Sequence, residues 1–159
     1  MEINIFVEIP KGSNQKYEYE EDKKRIILDR TLYSSVYFPF EYGFIEGTQS
    51  EDGDPLDAVL ISSFPTFPGC LVRARAIGIL YMEDEGGIDY KIIAVPQEKI
   101  DPRFKEIQDI NDLSEHSKAE IKEFFEIYKR LEPGKWVKIK DFGSKKEAEE
   151  IINKTTINK

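Results

Sequence analysis

Three carboxylates fall within six residues in Asp52-Gly53-Asp54-Pro55-Leu56-Asp57. Carboxylate oxygens are hard donors, and a bent loop that aims several of them at one point is what Mg²⁺ or another hard cation requires. Gly53 permits the bend and Pro55 fixes the following φ angle. Asp57 opens an apolar run, where a charge is costly unless something pairs with it. An EF-hand does not fit: counted from Asp52, loop positions six and twelve hold Asp57 and Ser63 instead of Gly and Glu. Taken alone, such a turn is ordinarily a solvated acidic loop leading into a strand.

Further charged groups join this turn. Asp84-Glu85-Gly86-Gly87-Ile88-Asp89-Tyr90-Lys91 again sets carboxylates at a Gly-rich turn, and period two places Asp89 and Lys91 on one strand face. Glu8 faces away from Ile5, Val7 and Ile9, and Lys16 shares a face with Glu18. Arg30 ends an apolar strand, and Tyr128-Lys129 ends an amphipathic helix. Each of these alone has a bland role: an exposed strand face, a surface ion pair, a core aromatic, a cation complementing a helix C-terminus. Pooled in one cavity, the set has a charge problem. Lys16, Arg30, Lys91 and Lys129 offset four of the eight charges on Glu8, Glu18, Asp52, Asp54, Asp57, Asp84, Glu85 and Asp89. Two linked phosphates at about −4 would bring the deficit to about −8, which about four divalent cations would balance. Such a site handles phosphate only when loaded with metal.

The elements that must hold these groups are mostly strands. Ile3, Ile5, Val7 and Ile9 alternate with Asn4, Phe6 and Glu8. Lys16 to Glu20 and Arg25 to Arg30 read as two more strands, the second with Ile26, Leu28 and Arg30 on one side. Asp57 to Ile61, Cys70 to Met82 and Asp89 to Val95 follow, with Gly78 marking a bulge or bend and Pro96 a stop. Glu83 to Gly87 reads as an acidic turn. Past Asn111, Ile121, Phe124, Phe125, Tyr128 and Leu131 fall at helical spacing, opened near Ser114 or Ser117 and closed by Pro133-Gly134. Trp136 to Ile139 is a last strand. Ser144 with Glu147 opens a second helix whose apolar face is Ala148, Ile151 and Ile152. Strands followed by two helices predict an α+β fold, a small barrel with helices packed outside it.

At 159 residues with no visible linker, the expectation is one domain over 1–159. No run reaches the ~20 apolar residues of a membrane span, and Met1-Glu2-Ile3-Asn4-Ile5 lacks the features of a signal peptide. A lone Cys70 fits a reducing, cytoplasmic setting. A net charge of −8 disfavours nucleic acid, which needs a basic face. The only histidine, His116, offers no nucleophilic triad and reads as a structural or surface group. Cys70 reads as a small packed strand residue.

The ordered motifs resemble the family I soluble inorganic pyrophosphatases over nearly the whole chain. They are Val7-Glu8-Ile9-Pro10, Lys16-Tyr17-Glu18, Leu28-Asp29-Arg30, Glu41-Tyr42-Gly43-Phe44-Ile45, the Asp52–Asp57 turn, Asp84-Glu85 through Asp89 and Lys91, Ala94-Val95-Pro96, Asp109 through Leu113, and Phe124 through Lys129. The short length looks like the prokaryotic form. The resemblance implies a five-stranded OB-like β-barrel with flanking α-helices, usually a homohexamer. It also implies hydrolysis of pyrophosphate to two phosphates by direct attack of a metal-activated water, with several Mg²⁺ per site. It assigns Asp52, Asp57 and Asp89 to the first metal, with Asp57 also reaching a second. Asp84 and Asp89 serve a metal that arrives with substrate, and Glu18 and Glu8 serve the rest of the metal chemistry. Asp54 is the base. Lys16, Arg30, Tyr42, Tyr128 and Lys129 grip phosphate oxygens, with Lys91 near the electrophilic or leaving phosphate.

One position departs from that pattern: Phe38 stands where many relatives carry tyrosine. The rival reading is an OB-like binding module without catalysis, using Tyr17, Tyr19, Tyr33, Tyr37 and Phe38 as stacking platforms. Others are a phosphohydrolase of nucleotides or phosphate esters, and a calcium buffer.

Overall fold

The computed structural model describes residues 1–157. Five strands close a mixed barrel in the order β1 (Glu2–Ile9), β4 (Glu41–Ile45), β5 (Asp57–Leu60), β8 (Lys91–Pro96) and β6 (Leu71–Asp84), with β6 returning to pair with β1. All neighbours run antiparallel except β5 and β8. The hairpin of β2 (Gln15–Glu20) and β3 (Arg25–Thr31) forms a separate two-stranded sheet. β7 (Gly87–Ile88) and β9 (Val137–Gly143) extend β6 beyond the barrel. Two helices flank it, α1 (Glu115–Ile127) and α2 (Lys145–Thr155), and short 3-10 turns span Pro102–Phe104 and Ile110–Asp112. The expected α+β barrel is thus the observed one. No helix among the described residues is long and apolar enough to cross a membrane.

Alternation along the strands sorts the core into two layers. Ile3, Ile5, Val7, Ala58, Leu60, Ile92 and Ala94 pack with Ala148 and Ile152 of α2. Val59, Ile93, Val95, Ile77 and Leu80 pack with Ile121, Phe124, Phe125 and Tyr128 of α1. β8 is therefore buried on both faces and reads as an unbroken apolar run. Both helices start where local chemistry predicts. Ser114 Oγ accepts from the Ser117 N–H, and Ser144 and Glu147 form a reciprocal capping box.

Bulges change what period two alone implies. Val7 pairs with Gly43 and Ile9 with Tyr42, so Glu8 is an extra residue in β1. Ile9 consequently leaves the layer of Ile5 and Val7 and joins that of α1. In β3, Leu28 pairs with Tyr17 and Arg30 with Lys16, which makes Asp29 the extra residue. Arg30 thereby departs from the Leu28 side and joins the face of Lys16 and Glu18. Gly78 does sit at a bulge, and a Cβ there would lie 2.7 Å from Ile110 Cβ. Gly43 tolerates no Cβ at all, because Phe6 O occupies that place.

Other boundaries move. β4 was not foreseen from the alternation. The acidic turn is narrower than read, since β6 runs on to Asp84 and β7 follows at once. β8 starts at Lys91, after Asp89, and ends on Pro96 instead of before it. β9 begins one residue past Trp136 and continues to Gly143. Leu131 is 66% exposed, because α1 ends at Ile127 and helical spacing no longer applies.

Candidate active site

The polar groups continue the same face of the strands that packs on α1. Asp57 precedes Val59 by two residues, and Lys91 precedes Ile93, so both point to that layer. Parallel pairing of β5 and β8 sets Asp57 opposite Lys91. Lys91 Nζ donates to Asp57 Oδ2 and to Asp89 Oδ1, each at 2.8 Å. Asp89 lies outside the strand yet reaches the same ammonium. Lys91 is buried, 5.3 Å from the Tyr42 ring centroid and 5.7 Å from that of Phe125. Burial opposes its charge, but Asp57, Tyr42 and Asp89 outweigh burial and hold its pKa well above the usual lysine value. Burial, reinforced by Asp57, likewise keeps the Tyr42 hydroxyl protonated.

The Asp52 turn forms as its composition dictates. Gly53 takes φ +91°, and the Asp54 N–H donates to Asp52 Oδ1 at 2.9 Å. Asp54 and Asp57 line a cleft of about 770 Å³ together with Glu8, Lys16, Glu18 and Tyr42. Burial, then Asp52 and Asp57, raise the Asp54 pKa. The bulge turns Glu8 into this cleft, where its Oε2 accepts from the Tyr19 N–H at 2.7 Å. Burial, with Asp57 and Glu18 adding to it, pushes the Glu8 pKa up to about 7 against the Tyr19 N–H and Lys16.

Glu8 therefore opposes folding at alkaline pH. The folded protein keeps the proton between the ordinary carboxylate value and about 7, while the unfolded chain has lost it. Stability falls as pH rises through that window, and the cost is complete above it. In cation-free buffer at pH 8, Glu8→Gln is expected to gain up to about 3 kcal/mol in urea unfolding and nothing at pH 4. Equal gains at both pH values would refute this.

A second lysine repeats the pattern of Lys91. Lys129 Nζ lies 3.0 Å from Asp84 Oδ2 and 3.1 Å from Glu85 Oε2. Glu85 sits at about 2. Burial alone would raise it, but its own backbone N–H, Lys129, Lys135 and the Trp136 N–H together outweigh that. Burial raises the Tyr128 pKa, and the neighbouring Lys91 and Lys129 only partly offset this. Arg30 contacts Asp29 at 2.6 Å and Glu132 at 2.8 Å, and Lys16 lies 3.8 Å from Asp29. Asp57, Asp89, Asp84, Lys91, Tyr42 and Tyr128 form a chain of electrostatic contacts, which Glu8 joins through Asp57 and extends to Lys16 and Glu18. All the residues singled out by sequence thus belong to one connected network, with Asp52 at its exposed edge.

The carboxylates do not converge on a preformed cage. Among the described residues, no three acidic, His or Cys side chains are grouped closely enough to hold an ion by themselves. Lysines stand between them: Lys91 takes one oxygen each of Asp57 and Asp89, while Lys129 takes one oxygen of Asp84 and contacts both oxygens of Glu85. The donor set is still all oxygen and strongly anionic, which fits a hard divalent cation. Sequence reasoning counted Glu85 but gave it no role, and it missed Asp29 and Glu132. Asp29 stood in the quoted Leu28-Asp29-Arg30 stretch, while nothing local marks Glu132. Of the aromatics proposed for stacking, Tyr33 and Tyr37 are exposed, Tyr17 and Tyr19 half-buried, and Phe38 fully buried. His116 is exposed beside Glu120, and Cys70 is partly buried but lies one residue before β6 instead of within the strand.

Fold and site together define a small closed-barrel protein whose polar network, with Glu8, Lys16, Glu18, Asp54 and Asp57 lining the cleft, alternates carboxylates with lysine and arginine, an arrangement suited to a compact polyanion with counter-cations. A sequence profile described as inorganic pyrophosphatase matches residues 5–158. The inorganic pyrophosphatase of Nanoarchaeum equitans is 52% identical over 158 residues, 99% of this chain and 98% of that one. That of Sulfolobus acidocaldarius is 55% identical over 94% of this chain and 87% of its own. The solved Helicobacter pylori inorganic pyrophosphatase superposes with a TM-score of 0.94 at 45% identity, covering 96% of this chain and 89% of that one. The chain belongs to the inorganic pyrophosphatase family.

Proposed function

We propose that this protein hydrolyses inorganic pyrophosphate to two phosphates, with divalent cations, Mg²⁺ best matched, as cofactors. The observation that carries this reading is the paired arrangement of Lys91 between Asp57 and Asp89 and of Lys129 between Asp84 and Glu85. Each ammonium is held in place by carboxylates that are themselves cation donors, so anion grip and cation grip alternate along one surface. Bound divalent cations would neutralise the substrate and acidify the attacking water.

The chain's own residues supply the rest. Asp52, Asp57, Asp84, Asp89, Glu18 and Glu8 would hold the cations. Asp54 takes a proton from the attacking water. Lys16, Arg30, Lys91 and Lys129 bind phosphate oxygens and offset the charge that the leaving phosphate gains. Tyr42 and Tyr128, kept protonated by burial, offer their hydroxyl hydrogens to phosphate oxygens. By the same resemblance we place the protein in the cytoplasm as a homo-oligomer, a hexamer.

The test is phosphate release from pyrophosphate with excess Mg²⁺, beside an EDTA-treated sample and an ATP control. Release from pyrophosphate alone, abolished by EDTA and restored by Mg²⁺, is the expected result. No release with any divalent metal would overturn the reading in favour of a binding module.

Phe38 does not undermine it. The ring is buried 4.5 Å from Phe124 and 5.6 Å from Tyr42, as an apolar brace behind the site. Phe38→Tyr is expected to change turnover within about tenfold, the worth of one net hydrogen bond, across a pH series. A wild type that is nearly inactive and rescued by tyrosine would show that the hydroxyl matters more.

A further inference from the structure

We propose that Glu132 is a positioning residue that aims the Arg30 guanidinium at pyrophosphate, an inference resting on the function proposed above. Glu132 follows α1 on the turn that carries Tyr128 and Lys129, and its N–H donates to Lys129 O at 3.0 Å. Its side chain is 7% exposed. Oε1 lies 2.8 Å from Arg30 Nε, and Oε2 accepts from Nη2 at 3.2 Å. The Nε hydrogen is out of line with Oε1, so the fork is skewed. Lys129, from the same turn, points instead to Asp84 and Glu85.

The geometry gives this pair a task beyond holding the fold. Arg30 belongs to the β2–β3 hairpin, which is not hydrogen-bonded into the barrel sheet. Glu132 ties that hairpin to the turn bearing two other phosphate-binding groups. A guanidinium is a rigid planar fork with five donors. Glu132 holds the Nε–Nη2 edge, and Asp29 takes one hydrogen of Nη1. One hydrogen on each Nη is left by these contacts, enough to serve two oxygens of one phosphate. Without Glu132, Arg30 keeps its charge but loses its aim.

The experiment is a double-mutant cycle on KM and kcat for pyrophosphate at saturating Mg²⁺, with thermal midpoints recorded alongside. Glu132→Gln is expected to raise KM about tenfold with a smaller change in kcat. In an Arg30→Lys background, which lacks the fork, the same change should add less than about twofold. Glu132→Asp, which keeps the charge on a shorter arm, should fall between wild type and Glu132→Gln; if Glu132→Gln proves too unstable to purify, it takes that place in the cycle. Effects that simply multiply, or a lowered midpoint with unchanged KM, would make Glu132 a structural residue only and overturn the proposal. A wild type that releases no phosphate would remove the underlying reading, and this inference with it.

Discussion

Lys91→Met is expected to destabilise the cation-free protein by about 3 kcal/mol and to lower phosphate release by about 10²–10³-fold. The two effects share a cause. Lys91 is 3% exposed at its side chain and lies 2.8 Å from both Asp57 and Asp89. Methionine fills much the same volume but leaves two carboxylates facing each other without the charge between them. The stability figure sits at the low end for a broken buried pair because Asp57 and Asp89 retain 34% and 24% side-chain exposure. The sign of the pH dependence follows. Burial raises the Asp89 pKa, so the deficit shrinks as pH falls and Asp89 takes up its proton. Urea unfolding in EDTA at pH 7 and pH 4 measures this, and added Mg²⁺ should recover part of the loss at pH 7. A variant as stable as wild type at both pH values would show that the triad contributes nothing to folding.

Asp54→Asn is the second large effect: turnover is expected to fall by about 10²–10⁴-fold, the usual worth of a general base, with little change in the Mg²⁺ concentration required. Asp54 is exposed, on a loop tip that lines the cleft, and its N–H is anchored on Asp52. Burial, Asp52 and Asp57 raise its pKa, so it loses its proton later than an ordinary carboxylate as pH rises. The wild-type rate should therefore fall as pH drops through that raised value, and the asparagine variant should lack that limb. Turnover that is unchanged across pH would place the base elsewhere.

Much of this was legible along the chain. Alternation located β1 and apolar, β-rich runs located β5, β6 and β8, while Ser144 marked one helix start and the Ser114–Ser117 stretch bracketed the other, which falls at Ser114. The carboxylate spacing in Asp52–Asp57 and the Asp84–Lys91 stretch identified polar groups of the connected network, of which Asp54 and Asp57 line the cleft, and counting their charges exposed the need for cations. These features are local, since propensity, capping and turn chemistry depend on residues a few positions apart. What the sequence could not show was pairing. The bulge at Glu8 moves Ile9 into the other core layer and turns Glu8 into the cleft. The bulge at Asp29 carries Arg30 to the face of Lys16 and Glu18. An extra residue in one strand is defined only by the partner strand it opposes, so no periodicity within the chain reveals it. The same holds for Glu132, which is 102 residues from Arg30 and acquires a role only when α1 folds back onto the hairpin. Sequence by itself determined which chemical groups are present and most of the strands and helices that carry them. Tertiary structure alone decided that Asp57 joins Asp89 on Lys91 and that Lys129 meets Asp84 and Glu85, because those charges meet only after segments 34 to 45 residues apart are brought together.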